Sequence, residues 1–402
     1  MESFLFWSRK LNFAIRAPQL IAVFVTVTLL GLVTLAATRP DDAAKTGPTT
    51  ASGFDNPGNS NANTGDAGSS QAGEPAYVGR QVCAECHREN FEQHAKHGHA
   101  MTFFDVSKTD LANRLAGKVV DGGEGFGSFH YRQGDDGQLF AQLPELAELS
   151  ELPIEYALGS GHNAQTFLTL REAANGDCLG LEHRVSLYPG DRLAITVGHE
   201  NKTANSPLER YGSTMHGETL DRCVYCHTTT AQITGNRIDN LVANVNCEKC
   251  HGPGSEHVAL ARQSATPPPY SVGKADWDVE SEIQLCGDCH RLPQSLSKSE
   301  LREYPDNSVR FQPVGLLRSA CYLKSGRQLR CSTCHDPHVS THGVSTAEHI
   351  QNCISCHDES IEKHTICPVN ASSGCIECHM PAIDQKQGIK FHDHWIRVRE
   401  ND

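Results

Sequence analysis

The alternation of hydrophobic and polar positions divides the chain into stretches of different character. From Ala17 to Thr38 no residue is charged, and these 22 residues wound as a helix would reach about 33 Å, enough for a bilayer's hydrocarbon layer. Arg9, Lys10 and Arg16 precede the run, which favours a cytoplasmic N-terminal side with the remainder outside. Residues 1–38 are therefore expected to be an N-terminal membrane anchor or signal segment. Ala36 and Ala37 leave cleavage open, although a signal peptide's apolar region is usually ~7–15 residues, shorter than this one. Residues 39–75 are rich in Gly, Ser, Asn, Asp, Thr, Ala and Pro, with Phe54 the only large hydrophobe, and read as a flexible low-complexity linker.

The pattern changes at Tyr77. Arg88 to Met101 predicts a short helix. Over 120–200, short apolar segments alternate with Gly and Asp, as in Phe129-His130-Tyr131, Leu139-Phe140-Ala141, Thr166-Phe167-Leu168 and Leu193-Ala194-Ile195. That predicts a small β-rich insert. From Cys223 onward the pattern is loops, prolines and short helices, and 262–278, with Pro267-Pro268-Pro269, predicts a surface loop.

Composition sharpens this. The 402 residues suffice for two ordinary domains, yet only 38% are hydrophobic and 6% aromatic, so the interior calls for something besides side chains. A net charge of −13 excludes the basic footprint of a nucleic-acid-binding protein. The 17 cysteines and 22 histidines are the unusual feature.

The pentapeptide Cys-x-x-Cys-His occurs seven times: Cys83-Cys86-His87, Cys223-Cys226-His227, Cys247-Cys250-His251, Cys286-Cys289-His290, Cys331-Cys334-His335, Cys353-Cys356-His357 and Cys375-Cys378-His379. Two thiols three positions apart can each add to one vinyl group of a single porphyrin, and the next residue then lies under the iron as its proximal ligand. Zinc ribbons pair their knuckles and do not require His after each, and a disulfide framework would not space its cysteines so uniformly. The expected cofactor is haem c, seven per chain, held by thioether bonds. Such a linkage needs no deep apolar pocket, and the porphyrins themselves would form the core. Cys178, Cys321 and Cys367 remain as disulfide partners or unreactive thiols.

A six-coordinate iron needs a second ligand. Among the four methionines only Met101 and Met215 are placed to serve, whereas 15 histidines remain beyond the motifs. Most sites are therefore expected to be bis-histidine, low-spin and of low potential. The candidates are His99, His199, His216, His257, His338, His364 and His394, with His97, His162 and His349 in reserve.

Tyr77-Val78-Gly79, Cys83-Ala84-Glu85-Cys86-His87 and His99-Ala100-Met101 resemble the opening of the exported multihaem cytochromes. This superfamily includes the tetrahaem cytochrome of hydroxylamine oxidation and the pentahaem nitrite reductases. Cys247 to Gly254 through His257, Cys331 to His338, and Cys375 to Pro381 are similar to further parts of it. The resemblance implies a multihaem cytochrome c fold over 76–402: mostly α and loop, with sparse secondary structure around haems packed in parallel and perpendicular pairs. One departure is that similar proteins often read His-Thr-His-His-Pro before the last motif, where this chain has His364-Thr365-Ile366-Cys367-Pro368. That keeps His364 as a ligand candidate and sets Cys367 near a haem, with a thiolate ligand as the lesser alternative.

With about 47 residues per motif, the haems would nearly touch. The expected function is electron transfer on the periplasmic side of the cytoplasmic membrane. The expected partners are redox proteins and a membrane quinol-oxidising module. The alternative is an oxidoreductase acting on a small nitrogen or sulfur compound at a haem with an open distal site. All seven motifs end in His and none in Lys, which weakens that alternative.

Overall fold

A computed structural model describes residues 75–263, 272, 277–361 and 364–399. The expected anchor at 17–38 and nearly all of the linker lie outside these residues. Among the described residues no helix is long and apolar enough to cross a membrane.

The β-rich part is larger than the expected 120–200 insert. It uses ten strands, β1 (Phe103–Asp105), β2 (Val119–Asp121), β3 (Ser128–Gln133), β4 (Leu139–Gln142), β5 (Glu151–Ile154), β6 (Tyr156–Leu158), β7 (Gln165–Glu172), β8 (Cys178–Tyr188), β9 (Arg192–Ile195) and β10 (Gly212–Met215). One antiparallel sheet runs β1-β6-β7-β8-β10, with β9 also paired to β8, and a second runs β2-β3-β4-β5. The outer strands β1 and β10 were not legible as strands because each is short and is fixed only by distant pairing, Phe103 opposite Leu158 and Met215 opposite Gly180.

Period-two alternation explains the core. Phe129 and Tyr131 on β3, Leu139 and Ala141 on β4, and Leu152 and Ile154 on β5 all turn inward. They meet Phe167, Leu181, Val185 and Leu187 of the larger sheet in one buried cluster. Arg184 is buried across it, donating to the carbonyls of Gly122 (2.5 Å) and His199 (2.5 Å) and stacking on Phe126.

Outside this insert the chain is helix and loop, with two small hairpins. The helices among the described residues are α1 (Arg80–Ala84), α2 (Arg88–His94), α3 (Leu111–Leu115), α4 (Glu218–His227), α5 (Cys247–His251), α6 (Ser255–Arg262), α7 (Val279–His290), α8 (Lys298–Arg302), α9 (Gln312–Leu316), α10 (Ala320–Lys324), α11 (Thr346–His357) and α12 (Cys375–His379), of which α3 belongs to the insert and packs into its core through Leu111, Ala112 and Leu115. The helix expected from Arg88 to Met101 is α2 followed, after a break at 95–97, by a 3₁₀ turn at Gly98–Met101. The hairpins are β11 (Thr228–Thr234) with β12 (Arg237–Ala243), and β13 (Ala382–Asp384) with β14 (Lys390–His392). A mostly helical description therefore holds only outside the insert.

Apolar burial beyond the insert is thin. Val279, Ile283, Leu292 and Tyr322 form one small cluster around α7, and Leu168, Leu170 and Leu220 another where α4 meets the large sheet.

Candidate functional site

Each attachment motif occupies a helical turn. The second, fourth and sixth end α4, α7 and α11, while the third and seventh are α5 and α12 themselves. The first closes its turn with His87 N donating to Cys83 O (2.8 Å), and the fifth with His335 N to Cys331 O (3.0 Å). In a helix, residues i, i+3 and i+4 share one face. The turn therefore presents both thiols and the imidazole on the same side, as attachment of one planar ring requires.

Imidazoles from distant parts of the chain stand opposite four motif histidines. His257 faces His87 with ring centres 6.2 Å apart, His99 faces His290 at 6.1 Å, His338 faces His251 at 6.3 Å, and His394 faces His335 at 6.3 Å. A metal–imidazole nitrogen bond is about 2 Å, so two axial imidazoles on one metal hold their ring centres about 6 Å apart. His364 lies 5.7 Å from His357 with the planes at 89°.

Ring tautomers are set by neighbours. The Nδ1–H groups of His227, His357 and His379 donate to the backbone carbonyls of Thr102 (3.0 Å), Thr365 (2.7 Å) and Arg397 (2.9 Å), and that of His290 to Gln312 Oε1 (3.1 Å). His338 Nδ1 and His394 Nδ1 are likewise held, by Asp336 Oδ1 (3.0 Å) and His392 O (2.9 Å). A donated Nδ1–H leaves the lone pair on Nε2, the atom that would bind metal. Burial pulls His99 to about 3 and His394 to about 4, and lowers His227, His251, His290 and His335, so these rings are neutral and able to ligate.

Not every expected ligand is brought to a motif. His199 is buried inside the insert, and its Nε2 pairs with Glu182 (3.0 Å), which occupies the atom a metal would need. His216 is exposed just before α4. Among the reserves, His97 accepts from His99 N (2.9 Å) through Nδ1, which puts its proton on Nε2. His162 stacks on His342 at 4.4 Å, too close for a metal between them, beside a cleft of about 440 Å³ lined by Met101, Phe104 and Arg114. His349 lies 5.6 Å from His335 with the planes at 67°.

Thiols of different motifs meet. Cys83 lies beside Cys247, Cys226 beside Cys289, Cys286 beside Cys331, and Cys353 beside Cys375. In the first three pairs the partner thiol and burial push Cys83, Cys226 and Cys331 up, while hydrogen bonding draws Cys247, Cys289 and Cys286 down. All 17 cysteines are free of disulfides, including Cys178, Cys321 and Cys367.

Two buried glutamates that sequence reasoning missed fasten motifs together. Glu248, inside the third motif, accepts from Val78 N (2.8 Å) and Gly79 N (2.8 Å) ahead of the first, and from Gly254 N (2.9 Å). Glu282 on α7 accepts from Ser332 N (2.8 Å) and Ser332 Oγ (2.9 Å) in the fifth motif. A charged residue between paired cysteines was the available signal for Glu248. For Glu282 there was none.

Two family descriptions match this chain. "Cytochrome c554 and c-prime" matches residues 194–252, and "Doubled CXXCH motif" matches residues 324–362. They contain four of the seven motifs. These matches support a multihaem c-type cytochrome. No curated protein matches the chain. A solved structure, that of the outer cell wall cytochrome OcwA, is 16% identical over 80% of each chain with a TM-score of 0.44. The donor set fits covalent haem c: same-face thiols, neutral imidazoles with oriented Nε2 atoms, and opposed rings at metal-bridging separation. When bound, haem c supplies one-electron redox chemistry at its iron.

Proposed function

We propose that this cytochrome carries electrons through seven covalently bound haems, tethered by its N-terminal segment on the outer side of the cytoplasmic membrane. The observation that carries the reading is that thiols of different motifs lie side by side. Groups attached at Cys83 and Cys247, Cys226 and Cys289, Cys286 and Cys331, and Cys353 and Cys375 would adjoin edge to edge. Asn352 Nδ2 donating to Cys334 O (3.0 Å) brings the fifth and sixth motifs together. Lys249 Nζ donating to Tyr225 O (2.8 Å) does the same for the third and second. Every motif thus has a neighbour, which suits passage of electrons along the molecule. The uncharged run 17–38 supports a membrane tether, and the partners would be a quinol-oxidising membrane module and soluble redox proteins.

The test uses full-length protein matured in a c-type export system. A pyridine haemochrome assay and intact mass should give seven covalent haems, and stopped-flow mixing should show fast reduction and reoxidation by partner proteins. Fewer than seven haems overturns the count. A high-spin haem that turns over nitrite, hydroxylamine or sulfite replaces electron transfer with catalysis. N-terminal sequencing of the membrane fraction should find Met1 retained, and a soluble protein starting between Ala37 and Asp41 replaces the tether with a cleaved leader.

A further inference from the structure

At the end of β14 the chain forms a strap, residues 392–399, that reaches the histidines of two motifs. His394 presents its ring to His335 at 6.3 Å, with its own Nδ1–H held by His392 O. Arg397 O accepts from Nδ1 of His379 (2.9 Å), the last motif's histidine. His392 Nδ1 donates to Met380 O (2.7 Å), the residue after that histidine. One short segment therefore orients ligand candidates at the fifth and seventh motifs together.

The strap is pinned at Asp393, which is fully buried. Its carboxylate accepts from Trp395 N (2.8 Å), from the Tyr304 hydroxyl, and from the guanidinium groups of Arg397 (3.0 Å) and Arg399. Ser319 adds a second pin, its hydroxyl donating to His394 O (2.7 Å) and accepting from Ile396 N (2.8 Å). The strap lies directly on α9. A Cβ at Gly315 would stand 2.5 Å from Trp395 N and 2.6 Å from the His394 carbonyl carbon. A buried carboxylate with two cations and a hydroxyl is costly to leave unmatched, so the groups hold one geometry.

We propose that Asp393 is a positioning residue for two haem sites: by pinning the strap it holds His394 opposite His335 and Arg397 O against His379. The carboxylate touches neither haem ligand set directly and acts through the backbone on either side of it. This rests on the haem reading above, and the haem count of the unmutated protein tests that reading separately.

The experiment compares haem count, spin state and redox titration in full-length matured variants. Asp393→Ala should keep the covalent haem count, because attachment depends on the thiols, and should turn one low-spin haem high-spin and able to bind carbon monoxide. Midpoints of two haems, and not of the others, should move. His394→Ala should give the same high-spin signal, and the double variant should add no second one. Gly315→Ala, which reaches the strap from α9, should reproduce the signature. Should Asp393→Ala not accumulate, Asp393→Asn is read in its place, since it keeps an acceptor for Trp395 and Tyr304 but loses both ion pairs. It should show a mixed spin state at one haem. A wholly low-spin spectrum with an unchanged titration overturns the proposal, as do changes spread over more than two haems.

Discussion

The insert and the motif-bearing part of this chain fill their interiors by opposite means. In the insert, Phe129, Leu139, Leu152, Phe167 and Leu181 are completely buried between two antiparallel sheets, as in any sandwich. In the motif-bearing part the largest apolar cluster around α7 has four buried residues, and polar staples such as Glu248, Glu282 and Asp393 join the pieces. The first region is written as alternation of side chains. The second is written as attachment points, with the bulk supplied by a group the chain does not encode. The two should therefore fail independently.

The largest expected effect comes from withholding haem. In a host lacking haem-attachment machinery, hydrogen exchange should show 103–215 protected while the helices from α4 onward exchange freely. Uniform protection of both regions would erase the contrast. Next is a cavity in the insert. Phe167→Ala should cost about 3–5 kcal/mol of local stability in the matured protein, read as faster exchange in β6–β8, with haem content and spectra unchanged.

Histidines should divide along the same line. His99→Ala, His257→Ala and His338→Ala should each convert one haem to high spin at constant haem count. His199→Ala should leave spin states alone and destabilise the insert by roughly 1–3 kcal/mol, since it empties a buried site. Spectra that respond to His199 as they do to His257 would merge the two regions.

The insert carries a pH dependence of its own. His183 is buried against Thr169 Oγ1 (2.9 Å) and held by burial at about 3, below its usual 6.5. The unfolded chain takes up that proton first, so the stabilisation is complete above pH 6.5 and is lost as pH falls toward 3. His183→Gln should flatten that part of the insert's acid-unfolding curve. The smallest effect expected is at Arg88–Glu92 (2.8 Å), an exposed pair on α2, where Arg88→Ala should change stability by no more than ~1 kcal/mol.

Legibility followed range. The alternation at 129–131, 139–141 and 166–168 marked strands in the insert, because period two is local. The extent of the insert was not legible: β1 is paired through Phe104 with Ala157 and β10 through Thr214 with Leu181, and neither strand carries its own pattern. His199 was grouped with metal ligands because it stands shortly before a motif. Its actual partner, Glu182, lies on β8, away from every motif in sequence.

The seven Cys-x-x-Cys-His motifs needed only the sequence. A thiol at i, a thiol at i+3 and an imidazole at i+4 lie on one helical face whatever surrounds them, so the chemistry is contained in five residues. The partner opposite each imidazole could not be read that way. His99 reaches His290, His338 reaches His251, and His394 reaches His335, across separations that no local period encodes. Which neutral ring has its Nδ1–H held, and so which Nε2 is free, is decided by carbonyls such as Thr102 O and Arg397 O that every residue possesses. Backbone acceptors leave no trace in composition, and only the folded chain places them.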